Sequence, residues 1–190
     1  MFRDGTILNF EGYLIKELLF SDFTQFVKDN LEIFEKDPYP NFKDYYLNDA
    51  KSDHDQLLTT AYTIHLDHDN SLIGYFSLSN VHMKADPSIL GSNYLSYYYL
   101  PAVYFQNFSI LPTQRNRGHG SNVLSILKAR LIFNSISAAR LIIADSLEKS
   151  KQFYEDNGFE ILGDDAEYPM ELPVEYDTTR MYFDLLDLKE

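Results

Sequence analysis

The chain has 190 residues, a length suited to one domain over 1–190, and its 29 acidic and 16 basic side chains give a formal charge of −13, a field that repels nucleic acid and favours cationic partners. Its 45% hydrophobic and 24% charged content is that of a globular protein; no run approaches 18 apolar residues and the N-terminus lacks a basic-then-apolar leader, so the expectation is a soluble, cytoplasmic chain with no membrane partner. Cysteine is absent, which excludes disulfides, thiolate catalysis and Cys-based metal sites, while 15 Tyr and 14 Phe point to a core or cleft rich in flat rings.

In chain order, Glu11–Phe20 reads as a first strand. Ser21 and Asp22 offer an N-cap to a helix carrying Phe23, Phe26 and Val27, which Asn30 ends. Asn41–Lys51 reads as a second helix with Phe42, Tyr45, Tyr46 and Leu47 on one side. Thr59–Leu66 and Leu72–Leu78 read as a hairpin around the turn cluster Asp67–Asn70. His65 and His68, three apart on a strand and turn, point away from one centre, so no metal site is expected. Val81–Tyr94 reads as a long polar loop, and Leu95–Phe105 leads into the next strand.

The stretch from Asn107 to Arg130 reads as a strand, a tight basic turn and a helix. Phe108 and Ile110 share one strand face at period two, and Pro112 ends the pairing because it has no N–H to give. Gln114-Arg115-Asn116-Arg117-Gly118-His119-Gly120-Ser121 follows, and then Val123, Leu124, Ile126, Leu127, Leu131 and Ile132 form an apolar stripe at helical spacing. A helix start leaves about four backbone N–H groups unpartnered and carries partial positive charge, so phosphates bind there. Gly118 and Gly120 let a phosphate approach the backbone, and Arg115 and Arg117 add forked donors. The spacing fits neither a P-loop nor a G-x-G-x-x-G dinucleotide turn. A plain strand-to-helix turn that needs small residues is the simpler reading of the segment taken alone.

Farther on, Ser137–Asp145 reads as a buried strand, Ser146 as a cap for a helix over Leu147–Asp156, and Asn157-Gly158 as its stop. Phe159–Leu162 resumes a strand, Gly163–Tyr176 is an acidic loop, and Thr179–Leu186 closes as a last strand. This alternation gives an α/β or α+β fold with a mixed sheet.

Two motifs in this order carry a family resemblance. Arg115-Asn116-Arg117-Gly118-His119-Gly120 resembles the R/Q-x-x-G-x-G/A acetyl-coenzyme A loop of the GNAT superfamily of acyltransferases. Ser150-Lys151-Gln152-Phe153-Tyr154-Glu155-Asp156-Asn157-Gly158-Phe159 resembles the family's A-x-x-F-Y-E-x-x-G-F. Leu72-Ile73-Gly74-Tyr75-Phe76 is similar to its "hIVGhh" strand, and Pro101-Ala102-Val103-Tyr104-Phe105 to the "iPavyi" order of a subgroup that includes toxins acetylating aminoacyl-tRNA. The resemblance covers residues 60–186. It implies the GNAT fold: a mixed, mostly antiparallel sheet with two splayed central parallel strands and flanking helices.

The resemblance also implies a chemistry. The backbone of Phe108, Ser109 and Ile110 would hold the pantetheine arm of acetyl-coenzyme A, and Gln114, Arg115, Asn116, Arg117, Gly118, His119, Gly120 and Ser121 its pyrophosphate. Tyr154 would be the general acid that protonates the leaving thiolate, the simpler alternative being that it only packs beside Phe153. Ser150, in place of the common Ala, could add a hydroxyl near the coenzyme. The family often has Asn seven residues before the motif Tyr, where this chain has Leu147, which puts that arm contact in doubt. No base stands out: Glu155 faces outward, Asp145 reads as structural, and His119 lies inside the phosphate turn. The acceptor would be a primary amine of a small molecule or a protein; the toxin reading, with aminoacyl-tRNA as acceptor, conflicts with the acidic charge. A non-catalytic coenzyme A-binding sensor is the other alternative. No metal is implied, and dimers built by the closing strands are common in the family.

Overall fold

The computed structural model describes residues 7–10, 12–18, 45–84, 99–133, 139–162 and 178–188. Eight strands follow in the sheet order β1-β2-β3-β4-β5-β6-β8-β7. They are β1 (Ile7–Phe10), β2 (Tyr13–Glu17), β3 (Thr60–Leu66), β4 (Leu72–Lys84), β5 (Tyr99–Ile110), β6 (Leu141–Leu147), β7 (Glu160–Ile161) and β8 (Thr178–Asp184). The helices are α1 (Ala50–Asp55), α2 (His119–Phe133) and α3 (Lys151–Asp156). The sheet is mixed: β5 and β6 run parallel, whereas β1–β2, β2–β3, β3–β4, β6–β8 and β7–β8 are antiparallel. No helix among the described residues is long and apolar enough to cross a membrane.

The chain groups into two compact units, Met1–Ser79 with Gln106–Asn122, and Asn80–Phe105 with Val123–Glu190. In the first, Gly12 at φ +86° turns the chain between Phe10 and Tyr13. The strand expected over Glu11–Phe20 is β2, and it is the second arm of a hairpin whose first arm, β1, precedes the turn at Gly12, a left-handed position that costs glycine nothing. Leu18, Ala50, Ala61, Tyr75 and Leu111 form this unit's core, with Tyr45 and Leu72 against it. The second expected helix is described from Tyr45: one π-helical turn, Tyr45–Asp49, passes into α1, which runs past the expected end to Asp55. Its stop is a left-handed cap built on Leu57 (φ +59°): Leu57 N donates to His54 O and Leu58 N to Asp53 O.

β4 and β5 cross this unit side by side. Leu111 N donates to Ile73 O at 2.9 Å, and Gln106 Nε2 to Ser79 Oγ at 2.8 Å, so one strand's numbers rise as the other's fall. Gly74 permits the fit: a Cβ there would stand 2.6 Å from Ser109 O and 2.9 Å from Ile110 Cδ1. Asn107 takes a left-handed φ of +51° within β5, and its side-chain amide donates to Ser77 Oγ at 3.2 Å. Beyond it Ser109 is the buried residue, while Phe108 and Ile110 are half-buried. Phe108 and Ile110 thus share one half-covered face, in keeping with their period-two spacing, and the buried Ser109 lies on the other.

In the second unit, Met83, Leu100, Ala102, Tyr104, Leu141, Ile143, Leu162 and Tyr182 make one core. β4 continues through the polar residues Asn80 and His82 to Lys84, where a loop was expected from Val81; the alternation of half-buried Val81 and buried Met83 with exposed Asn80 and His82 is that of a one-sided strand. Pro101 sits inside β5 with its side chain exposed, and its carbonyl accepts Arg140 N at 2.8 Å. The missing N–H is no obstacle where the carbonyl does the pairing. β6 starts later than the expected Ser137–Asp145 strand and runs two residues further. Ser146 is therefore not a helix cap: it is buried, pairs with Thr179, and gives its hydroxyl to Leu147 O. A 3-10 turn, Glu148–Ser150, then leads into α3, and Gly158 at φ +78° ends it as expected. β8 stops at Asp184, and Leu185–Leu188 form a 3-10 turn in place of the strand's expected last residues. The helix expected after Asp22 and the loop Gly163–Tyr176 lie outside the described residues.

Two outcomes follow from these contacts. Gly74→Ala is expected to lower stability in urea unfolding by about 1–3 kcal/mol, since the added methyl meets backbone that cannot rotate away. His65 gives a pH signature. Its Nδ1 is 3.0 Å from Asn70 O and its Nε2 3.0 Å from Thr63 Oγ1, and burial pushes its imidazole below the ordinary value despite the Asn70 bond. The folded state disfavours the charged ring, so its stabilisation is complete above the ordinary histidine pKa and declines as pH falls through the lowered one. Melting temperatures from pH 7.5 to 5 should fall less steeply in His65→Gln than in wild type.

Candidate functional site

After the buried Leu111, Pro112–Gln114 form a single 3-10 turn, Asn116 takes φ +60° and Gly118 φ +79°, and α2 begins at His119. Asn122 N donates to Gly118 O at 3.1 Å as the first intrahelical bond. His119, Gly120 and Ser121 therefore form the helix's first turn, whose backbone N–H groups lie ahead of the i→i−4 ladder. A Cβ on Gly118 would meet nothing within 4 Å, so the space over the turn is open. Asn116, Arg117 and Gly118 are exposed, and Gln114, Arg115, His119, Gly120 and Ser121 half-buried.

The two arginines take different parts. Arg115 folds back on β5: its Nε donates to Ile110 O at 2.7 Å, and its Nη2 lies 3.5 Å from Ser109 Oγ. The structure thus brings Ser109, Ile110 and Arg115 together, with the Ile110 carbonyl engaged by the guanidinium. The carbonyl-type oxygen of Gln114, Oε1, is buried and has no hydrogen-bond partner among the described residues. His119 Nδ1 is 2.9 Å from Tyr13 OH, and Asn122 Nδ2 donates to the same hydroxyl at 2.8 Å. The Tyr13 and His119 rings meet edge-on at 5.8 Å. Tyr13 was not among the expected site residues; an aromatic residue in a strand carries no sequence signal for such a role. Tyr45, on the side of the second expected helix read as packed, is hydrogen-bonded to Thr59 Oγ1 at 2.8 Å, and burial pushes its phenol up; Asp49 is exposed.

The second motif folds around Tyr154, which is buried in α3 between Phe153 and Phe159, its ring centroid 5.2 Å from each. Burial pushes its phenol well above the ordinary range, and the nearby charge of Asp145 adds to the rise. Asp145 is itself clamped: Arg180 Nε and Nη2 reach its two oxygens at 2.8 and 3.1 Å, and Tyr104 OH donates to it at 2.9 Å. Such a carboxylate is a structural anion, as the sequence suggested. Ser150 occupies the N-cap position of α3, half-buried, and makes no side-chain cap bond. Glu155 is exposed. The parallel register joins Ala102 to Leu141, Val103 to Ile142 and Tyr104 to Ile143, while β5 continues to Ile110 and β6 to Leu147.

Comparison with known proteins places this architecture. No protein-family profile matches the chain, and no curated protein matches it by sequence. Solved structures do match along nearly the whole length. The toxin AtaT complexed with acetyl-methionyl-tRNAfMet is similar at TM-score 0.65 and 14% identity, over 93% of this chain and 97% of that one. AtaTR bound with acetyl-coenzyme A is similar at TM-score 0.66 and 16% identity, over 95% and 98%. The dodecameric spermidine N-acetyltransferase of Vibrio cholerae is similar at TM-score 0.54 and 15% identity, over 94% and 97%. With this strand order, the parallel pair β5–β6 and these neighbours, the chain has the fold of the GNAT superfamily of acyltransferases.

Proposed function

We propose that this chain is an N-acetyltransferase that takes its acetyl group from acetyl-coenzyme A and passes it directly to a primary amine. The observation that carries the reading is the turn itself: two left-handed residues, Asn116 and Gly118, deliver the chain into the first turn of α2 with open space above Gly118. That arrangement fits a phosphate, which the start of α2 at His119, Gly120 and Ser121 receives together with the charge of Arg117. Arg115 serves by bracing the turn against Ile110 and by adding its charge. Phe108, Ser109 and Ile110 offer strand backbone to the pantetheine amides, and Gln114 brings a buried acceptor to the same turn.

Acetyl-coenzyme A supplies an activated thioester, whose transfer to an amine releases a thiolate. Tyr154 holds its proton at neutral pH because burial disfavours the phenolate. The same burial makes it a weak acid, so it acts by donating a hydrogen bond to the sulfur and yields the proton as negative charge develops there. With Asp145 tied to Arg180 and Tyr104, the amine's proton leaves through water or a backbone carbonyl. Ser150 sits one residue before α3 and can add a hydroxyl near the coenzyme. No cysteine exists to carry an acyl group, which agrees with direct attack.

The acceptor favoured by a charge of −13 is a small cationic amine. A second acceptor, aminoacyl-tRNA, is supported by the likeness to AtaT, solved with an acetylated tRNA.

Calorimetry tests the donor. Wild type is expected to bind acetyl-coenzyme A at micromolar Kd, about −8 kcal/mol, and Gly120→Glu to lose most of it; a wild type that ignores the ligand would end the reading. Thiol release with a panel of polyamines and with charged tRNA then separates the acceptors, growth arrest on expression accompanying the second. Tyr154→Phe should lower kcat/KM by about 10²-fold or more, and unchanged turnover would remove Tyr154 from the acid role.

A further inference from the structure

The stripe that α2 buries is not wholly apolar. Val123, Leu124, Leu127 and Lys128 are its buried residues, and Lys128 retains 8% exposure. Its ammonium donates a hydrogen bond to the carbonyl of Asn157 and lies 3.6 Å from the centroid of the Phe183 ring and 5.2 Å from that of Phe159. Both rings present electron-rich faces to a cation.

Asn157 is the residue that ends α3. With six residues, α3 is too short to hold itself by its own hydrogen bonds. Its C-terminal carbonyls are nonetheless engaged. Tyr154 O accepts Asn157 N and Phe159 N, each at 3.0 Å, Glu155 O accepts Gly158 N at 2.8 Å, and Phe153 O accepts Asn157 Nδ2 at 2.7 Å. The outermost carbonyl, that of Asn157, is the one that Lys128 takes, placing a cation at the negative end of the helix. Phe159, the ring that Lys128 faces, makes the edge contact with Tyr154 and a tilted contact with Phe183 at 5.7 Å.

We propose that Lys128 is a positioning residue for Tyr154, fixing the end of α3 and the Phe159 ring against which the Tyr154 phenol packs. The proposal rests on the reading of Tyr154 as proton donor. Holding the lysine there opposes stability. Burial pushes its ammonium down to about 8, and among the described residues no carboxylate is paired with it. Of the acids on the surrounding elements, Asp156 accepts from Gln152, Glu160 from Tyr182 and Asp184 from Arg140, and Glu155 is exposed. A buried charge that raises the free energy of the fold can be replaced by a neutral chain of the same length without loss of stability. This separates positioning from mere support.

The test compares wild type, Lys128→Met and Lys128→Arg in three measurements: melting temperature, steady-state kinetics with whichever amine wild type accepts, and amide hydrogen exchange across Phe153–Phe159. Expected for Lys128→Met are an equal or higher melting temperature, kcat lower by about tenfold with both KM values unchanged, and faster exchange confined to the end of α3. Lys128→Arg should recover part of kcat and of the protection. Wild-type exchange at the end of α3 in Lys128→Met overturns the proposal whatever the kinetics show. A melting temperature and kcat that fall together, with exchange faster throughout the unit, overturns it in favour of a structural lysine. Exchange reads the anchor without turnover, so absence of acetyl transfer in wild type would end the enzyme reading while leaving the anchoring decided by exchange.

Discussion

The close approach of β4 to β5 at Gly74 is the constraint from which the candidate cofactor turn is built. Where any other residue would push Ser109 away, glycine lets the two backbones sit together and gives Ile110 room for its side chain. With β5 seated, the Ile110 carbonyl is where Arg115 can reach it, and Arg115 then fixes the chain that turns through Asn116 and Gly118 into α2. Sterics at one position thus precede electrostatics at the next, and the arginine is bound to its own strand before any ligand arrives. A guanidinium suits that double duty, since its fork can brace a carbonyl and still present charge.

How legible all this was depended on whether a residue's role is local. The basic glycine turn, the helix after it, the β3–β4 hairpin and the Gly158 stop are written in spacing and turn chemistry, and each appears where the sequence places it. Boundaries governed by the neighbouring strand were not legible. β4 runs on through Asn80 and His82 because only one face is covered, and β5 accepts Pro101 because the pairing there uses a carbonyl. Ser146 has the composition of a cap yet lies in a strand, since its partner Thr179 is more than thirty positions away in sequence. The turn at Gly12 was legible in principle, since one glycine at the start of an apolar run marks a turn.

The candidate site shows the same division. The motif around Tyr154 was legible in its aromatic pair and terminal glycine, but the environment that sets its acidity was not. Asp145 reaches its clamp through Tyr104 and Arg180, which come from two other strands. Lys128 was detectable in principle, since it falls four residues after Leu124 on the buried stripe, where a charge is out of place. A stripe read only for its apolar members passes over the one residue on it that has electrostatic work to do.

The Tyr13 hydroxyl ties two residues of α2 to a strand far away in sequence: it accepts an N–H from Asn122 and is hydrogen-bonded to His119 Nδ1. The first residue of the helix is thus held in one orientation by a neutral partner. Hydrogen bonds that orient side chains at the mouth of a helix add direction to what that mouth can bind without adding charge. In a chain as acidic as this one, the turn can be selective through the directions of its hydrogens where another protein would rely on accumulated positive charge. Affinity built in that way would lose less to dissolved salt than affinity built on ion pairing.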